Sequence, residues 1–123
     1  MSDNKKIGTD LVALCQQGKN QEAIEKYYAQ DIVSVEAAEA GGMPRELRGK
    51  GEIAGKNKWW VENHDIHSAE VLGPYPHGTD KFAAVFRYDV TNKPSKQRFK
   101  MEEVAVYTVK DGKIVREEFF YAM

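Results

Sequence analysis

The spacing of apolar residues along this chain changes once, from a helical period to a period of two. In the N-terminal half Ile7, Leu11 and Leu14 recur at helical spacing with Cys15 beside them, and Gly18 ends the pattern. Asn20 can cap a second helix whose Ala23, Ile24, Tyr27 and Tyr28 form an apolar stripe. The segment Asp31 to Glu36 alternates and is rich in β-branched residues, which predicts a short strand. Ala37 to Gly51, with its paired glycines and Pro44, predicts a loop. A third helix from about Gly51 to Asn63 sets Ile53 and Trp60 one above the other.

From His64 onward the pattern is that of strands: His64 to Leu72, a turn over Gly73 to Asp80, then Lys81 to Thr91. Asn92 to Ser95 turns the chain into Gln97 to Lys110, and Asp111-Gly112 is a strong two-residue hairpin signal before Lys113 to Tyr121. Three helices followed by a meander predict an α+β fold, a single domain over residues 1–123. Helices packed on a curved mixed or antiparallel sheet leave a cone-shaped cavity suited to a small ligand.

Strand alternation sorts the side chains into faces. Phe82, Ala84, Phe86, Tyr88 and Val90 share one face of their strand. In the next, Glu102, Val104, Val106 and Thr108 oppose Met101, Glu103, Ala105 and Tyr107; in the last, Val115, Glu117, Phe119 and Tyr121 oppose Ile114, Arg116, Glu118 and Phe120. Neither face is plainly polar, so both need cover. Helices supply one cover and a second subunit the other, with Arg87, Asp89, Glu103, Arg116 and Glu118 making ion pairs there; a homodimer through the sheet is expected.

The formal charge of −1, from 18 basic and 19 acidic residues, provides no field to gather nucleic acid or an anionic membrane surface. The single cysteine, Cys15, excludes an internal disulfide and reads as a buried, inert thiol. The polar start MSDNKK and the lack of a spanning apolar run predict a cytoplasmic protein.

Four stretches carry a resemblance: Tyr28 to Glu36, Gly49 to Ile53, Lys58-Trp59-Trp60, and Glu103 to Tyr121. With them the whole chain resembles the nuclear transport factor 2-like superfamily of cone-shaped proteins. It looks most like the SnoaL-like group, whose namesakes are polyketide cyclases. The superfamily mixes isomerases, cyclases, dehydratases and binding modules, so the resemblance does not settle an activity. Ketosteroid isomerase, which shares the fold, works with a carboxylate base and two oxyanion donors, a tyrosine and a neutral aspartic acid. On that alignment the base position falls on Ala37, the tyrosine near Leu11 and the acidic donor near Val104, so all three roles stand empty. The alignment also turns Val35, Phe86, Tyr88, Val90, Glu102, Val104, Val106, Glu117, Phe119 and Tyr121 toward the cavity.

Two carboxyls, Glu102 and Glu117, would then face an aromatic interior and share a proton, a pair suited to acid–base chemistry. His64 or His67 is a second candidate base, the two pointing to opposite faces. Trp59, Phe86, Tyr88, Phe119 and Tyr121 are the candidate ligand contacts, with Tyr88 or Tyr121 polarising an oxygen and Trp60 reserved for packing. The histidines and carboxylates have no metal-ligand spacing, so neither metal nor cofactor is expected. Gly41-Gly42-Met43 reads as a flap over the cavity, since no phosphate-binding pattern follows it. The expected partner is a small apolar or aromatic molecule. The expected chemistry is proton abstraction and return beside a carbonyl, with a non-catalytic binding or interaction domain as the alternative.

Overall fold

The computed structural model describes residues 3–39 and 42–122. In chain order its elements are α1 (Asn4–Gln16), α2 (Asn20–Tyr27), β1 (Tyr28–Val35), β2 (Glu46–Arg48), α3 (Lys50–Glu62), β3 (His64–His77), β4 (Lys81–Asn92), β5 (Gln97–Lys110) and β6 (Lys113–Phe120). The strands form one six-stranded sheet in the order β2-β1-β6-β5-β4-β3. Only β1 and β6 run parallel; every other neighbouring pair is antiparallel. The fold is therefore α+β with a mixed sheet, as the change of period predicts.

Three boundaries differ from the sequence expectation. Tyr28 opens β1 rather than closing the stripe of α2. The segment read as a loop contains β2, which pairs with β1 from Val33 to Val35. Strand β3 runs on through Gly73 and Pro74 to His77, because the register shift between Leu72 and Tyr75 absorbs them as an irregularity. Of the expected flap, Gly41 lies outside the described residues.

Register decides which side chains enter the core. Asn92 pairs with Gln97 across residues 93–96, so even positions of β4 oppose odd positions of β5. Phe86 therefore faces Glu103, Ala84 faces Ala105 and Phe82 faces Tyr107. Directly opposed residues of an antiparallel pair share a face. The inward residues of β5 are thus Glu103, Ala105, Tyr107 and Val109; Glu102, Val104 and Val106 point outward, contrary to the alignment-based expectation. In β1 the buried positions are Tyr28, Ile32 and Ser34, all even, which turns Val35 to the other face as well.

The β5–β6 hairpin turns at Asp111 and Gly112, both with positive φ (53° and 76°), as a type I′ turn requires. Val109 pairs with Ile114, but Thr108 pairs with Arg116, so Val115 is an extra residue in β6. This bulge lets Ile114 and Glu117 both point inward and sets Glu117 opposite Tyr107.

All the helices lie on the inner face. Helix α1 crosses β3 and β4, and α3 packs against β1, β2 and β3. Ile7, Leu11, Val12 and Cys15 of α1 join Phe82, Ala84, Ala105 and Ile114 in one core. At the start of α1 the buried Asn4 donates from Nδ2 to the carbonyls of Gly78 (3.2 Å) and Lys81 (2.8 Å), tying the helix to the β3–β4 turn. No helix among the described residues is long and apolar enough to cross a membrane.

The helix–sheet approach is closest at Gly8. A Cβ there would lie 2.8 Å from Pro74 Cβ and 3.0 Å from the Phe82 ring. Alanine favours a helix over glycine by about 1 kcal/mol, but overpacking a filled core costs about 1–3 kcal/mol. Gly8→Ala is accordingly expected to lower the urea midpoint; an unchanged or raised midpoint would show that the helix can lift off Phe82 at no cost.

Candidate active site

Three carboxyl groups converge on the inner face near one lysine. Glu117 enters from β6, Glu103 from β5 and Glu36 from the end of β1. Lys56 arrives from α3 on the Ile53–Trp60 stripe, because positions 53, 56 and 60 share a helix face. Its Nζ lies 2.5 Å from Glu36 Oε1, and the Tyr121 hydroxyl donates to Glu36 Oε2 at 3.0 Å.

Glu117 is the deepest of the three, only 2% exposed. Parallel pairing of β1 and β6 sets Ser34 beside it, and Ser34 Oγ donates to Oε1 at 2.9 Å. The Tyr28 hydroxyl donates to Oε2. Burial pushes the Glu117 carboxyl up to about 7; the Tyr28 and Ser34 donors pull it down, Glu36 pushes it up and Lys56 pulls it down. Glu103 is also raised to about 7, first by burial, then by the charges of Glu36 and Glu117, with Lys56 opposing. Two carboxyls on adjacent strands thus change charge near neutral pH, the property required of an acid–base group.

Phenols surround these acids. Tyr28 and Tyr107 are held well above the usual phenol value, chiefly by burial and then by Glu117. Tyr88 and Tyr121 are each pushed up to about 12, chiefly by burial. All four remain protonated donors at neutral pH. The buried Cys15 thiol is pushed up to about 12 by burial and by Glu117, which makes it a poor nucleophile.

The residues expected from sequence fall into two groups. Glu117, Phe86, Tyr88, Phe119 and Tyr121 lie on the inner face or at its end, with Phe86 and Tyr88 stacked at 6.3 Å. Glu102 does not join them. It is exposed on the outer face, where it accepts from Arg87 Nε at 2.5 Å while Arg87 also holds Glu70 at 2.8 Å. The inner-face position at that level is Glu103, so the acidic position that the isomerase alignment set near Val104 is not empty of a carboxyl.

His64 is buried, stacked on Trp60 at 4.4 Å with Nδ1 2.8 Å from the Trp60 carbonyl. His67 is exposed and bonded to Thr91 Oγ1 at 2.7 Å. The two do point to opposite sides, and the hydrogen bonds of each run to Trp60, Asn92 or Thr91 rather than to the carboxyls. Trp59 is 52% exposed, with an edge toward His64 at 6.4 Å; Trp60, assigned to packing, is the tryptophan that reaches inward, 5.5 Å from Tyr88.

Sequence reasoning missed Tyr28, Ser34, Glu36, Lys56, Glu103 and Tyr107. The even-length loop after Asn92 was the available signal for Glu103 and Tyr107. No group of three metal-ligating side chains occurs among the described residues.

The family model described as SnoaL-like domain matches residues 2–121. A Mesorhizobium loti protein to which a SnoaL-like polyketide cyclase or carbohydrate phosphatase role has been attributed is 46% identical, with a TM-score of 0.88 over 94% of this chain and 97% of that one. A Mycobacterium Δ5-3-ketosteroid isomerase shares the fold at 20% identity and a TM-score of 0.73, covering 100% of this chain and 95% of its own. A Mycobacterium tuberculosis protein in complex with estradiol-17β-hemisuccinate does so at 15% identity and 0.75, covering 100% and 96%. None of the curated proteins compared matches the chain. The family model over nearly the whole chain, on a helix-covered mixed sheet with inward carboxyls, establishes that this protein belongs to the SnoaL-like domain family.

Proposed function

We propose that this protein binds a small, largely apolar or aromatic molecule against the inner face of its sheet and moves a proton beside a carbonyl of that molecule. The observation that carries this is Glu117: a carboxyl 2% exposed, held by Tyr28 and Ser34 and poised near pH 7 beside Glu103. In the proposed step Glu117 takes a proton from the carbon next to the carbonyl. The electron pair moves onto the carbonyl oxygen, a phenol among Tyr88, Tyr107 and Tyr121 donates to that oxygen, and Glu117 returns the proton elsewhere on the molecule. Isomerisation, cyclisation and dehydration all contain this step. The phosphatase role attributed to the Mesorhizobium loti protein fits this interior poorly, because its acids outnumber Lys56, already paired with Glu36. A second reading, a binding protein without turnover, is favoured by one fact: both Glu117 oxygens already hold protein donors.

We place the protein in the cytoplasm, where a free Cys15 persists, and infer that it is a homodimer through the outer face of the sheet. There Leu72, Val85, Val104 and Phe120 are successive cross-strand partners across β3 to β6, an apolar ladder with Val104 and Phe120 exposed. Beside it Glu70, Arg87, Asp89, Lys100 and Glu102 line a shallow hollow of about 590 Å³. A second copy gives the ladder apolar cover and the charged rows a partner surface.

Hydrogen exchange tests the proton-transfer step without a known substrate. Aromatic ketones such as 2-tetralone, followed by NMR in deuterated buffer, are expected to lose α-protons faster with the protein than with Glu117→Gln, by about a hundredfold. Equal rates would remove Glu117 as the base and leave the binding reading. Stability gives a second check. Glu117 in the folded protein holds its proton to about pH 7, above its ordinary value of 4.5, so stability falls as pH rises between those values and is level above them. The share of the loss that belongs to Glu117 is on the order of 3 kcal/mol, and Glu117→Gln should shrink the fall in urea titrations from pH 5 to 8, leaving the share of Glu103. For the dimer, Val104→Asp should convert a sedimenting dimer to a monomer; a wild-type protein that sediments as a monomer would refute the interface.

A further inference from the structure

The inner face carries two polar groups that the fold leaves without partners. Glu103 makes no hydrogen bond or ion pair among the described residues, whereas Glu36 is held by Lys56 and Tyr121 and Glu117 by Tyr28 and Ser34. Tyr107 is only 2% exposed and lies flat on Phe82, ring centres 4.8 Å apart, yet its hydroxyl meets no hydrogen-bond partner among the described residues. No fully buried side-chain polar atom among the described residues lacks a partner, so both groups keep some accessible surface. The groups that act electrostatically on the Tyr107 hydroxyl are Glu117, Cys15, Glu103 and Tyr88, which points it into the acidic cluster.

Rings flank the unpartnered carboxyl. Phe86 is its cross-strand neighbour on β4, and Tyr88 and Trp60 continue the aromatic surface at 6.3 and 5.5 Å centre to centre. Tyr121 is close enough for Glu103 to act on its phenol. The cation beside these acids, Lys56, is already engaged by Glu36. A carboxyl without a protein donor, beside ring faces and in a surplus of acid, matches one ligand group above others. An ammonium satisfies the carboxyl, gains from the ring quadrupoles and neutralises the surplus, whereas a carboxylate or phosphate meets repulsion from Glu36, Glu103 and Glu117.

We infer that the ligand of this site carries a protonated amine, seated on Glu103 between the rings of Phe86, Tyr88, Trp60 and Tyr121. This rests on the inner face being the ligand site, as proposed above, and adds the charge of the ligand. Glu103 holds the ligand, Tyr107 offers its free hydroxyl to a second polar group on it, and Glu117 remains the proton-transfer group.

Three probes of matched shape separate the possibilities by calorimetry on the full chain: 2-naphthylmethylamine, 2-naphthylmethanol and 2-naphthoate. The amine should bind at least tenfold more tightly than the alcohol, and the acid more weakly than either. Glu103→Gln, which keeps shape and removes the charge, should bring the amine down to the affinity of the alcohol. The amine stays protonated from pH 6 to 8, so its affinity should rise about tenfold over that range as Glu103, raised to about 7, loses its proton. The charged groups that act on Glu103 are Glu36 and Glu117, which push it up, and Lys56, which pulls it down. If the alcohol or the acid binds as tightly as the amine, the charge assignment is wrong while the ligand site stands. If none of the three binds, both fall.

Discussion

The pairing of β6 with its two neighbours is the constraint on which the rest of this structure depends. On one side β6 runs parallel to β1 and on the other antiparallel to β5, so it joins the ends of the chain inside the sheet. The extra residue at Val115 changes its parity partway along. Before the bulge Ile114 fills the core; after it Glu117 points the same way, beside Ser34 and opposite Tyr107. Were Val115 paired in regular alternation instead of bulged, the inward position after Ile114 would fall to Arg116, and a guanidinium would enter the space that now holds a carboxyl. The bulged pairing of β6 therefore sets the sign of the charge at the heart of the fold.

Burying acids in this number is unfavourable unless the fold compensates. Lys56 compensates Glu36 directly, and Tyr28 and Ser34 compensate Glu117 with hydrogen bonds. What remains is met by protonation: Glu103 and Glu117 hold protons into the neutral range instead of carrying charge. A carboxyl kept at its titration point by its surroundings can give and take a proton at little cost, so the same burial that strains the fold equips the site.

Most of the fold was legible in the sequence because both periods are clean. Ile7, Leu11 and Cys15 announce α1, and Asp111-Gly112 announces the last hairpin with its positive φ angles. The site was less legible because parity within a strand does not fix parity between strands. Parity within β6 places Glu117, yet the family resemblance turns Glu102 toward the same cavity; counting residues 93–96 turns Glu102 outward to Arg87 and brings Glu103 in. Tyr28 was hidden for another reason. It is the junction residue of α2 and β1, and helical spacing claims it as well as strand alternation does. Lys56 lay on the stripe already drawn through Ile53 and Trp60, but a lysine on an apolar stripe draws attention only once its partner Glu36 is known.

The contacts that hold Glu117 are also among the longest-range in the chain: Ser34 and Tyr28 lie 83 and 89 residues away in sequence. The β3–β4, β4–β5 and β5–β6 hairpins close short loops, whereas β1 can meet β6 only by closing a loop that spans most of the molecule. Loop-closure entropy places that event after the local pairings. As the chain folds, the site is therefore a late product: its hairpins can form with Glu117 still in water, and its carboxyl is taken from solvent only when the two ends of the chain are joined.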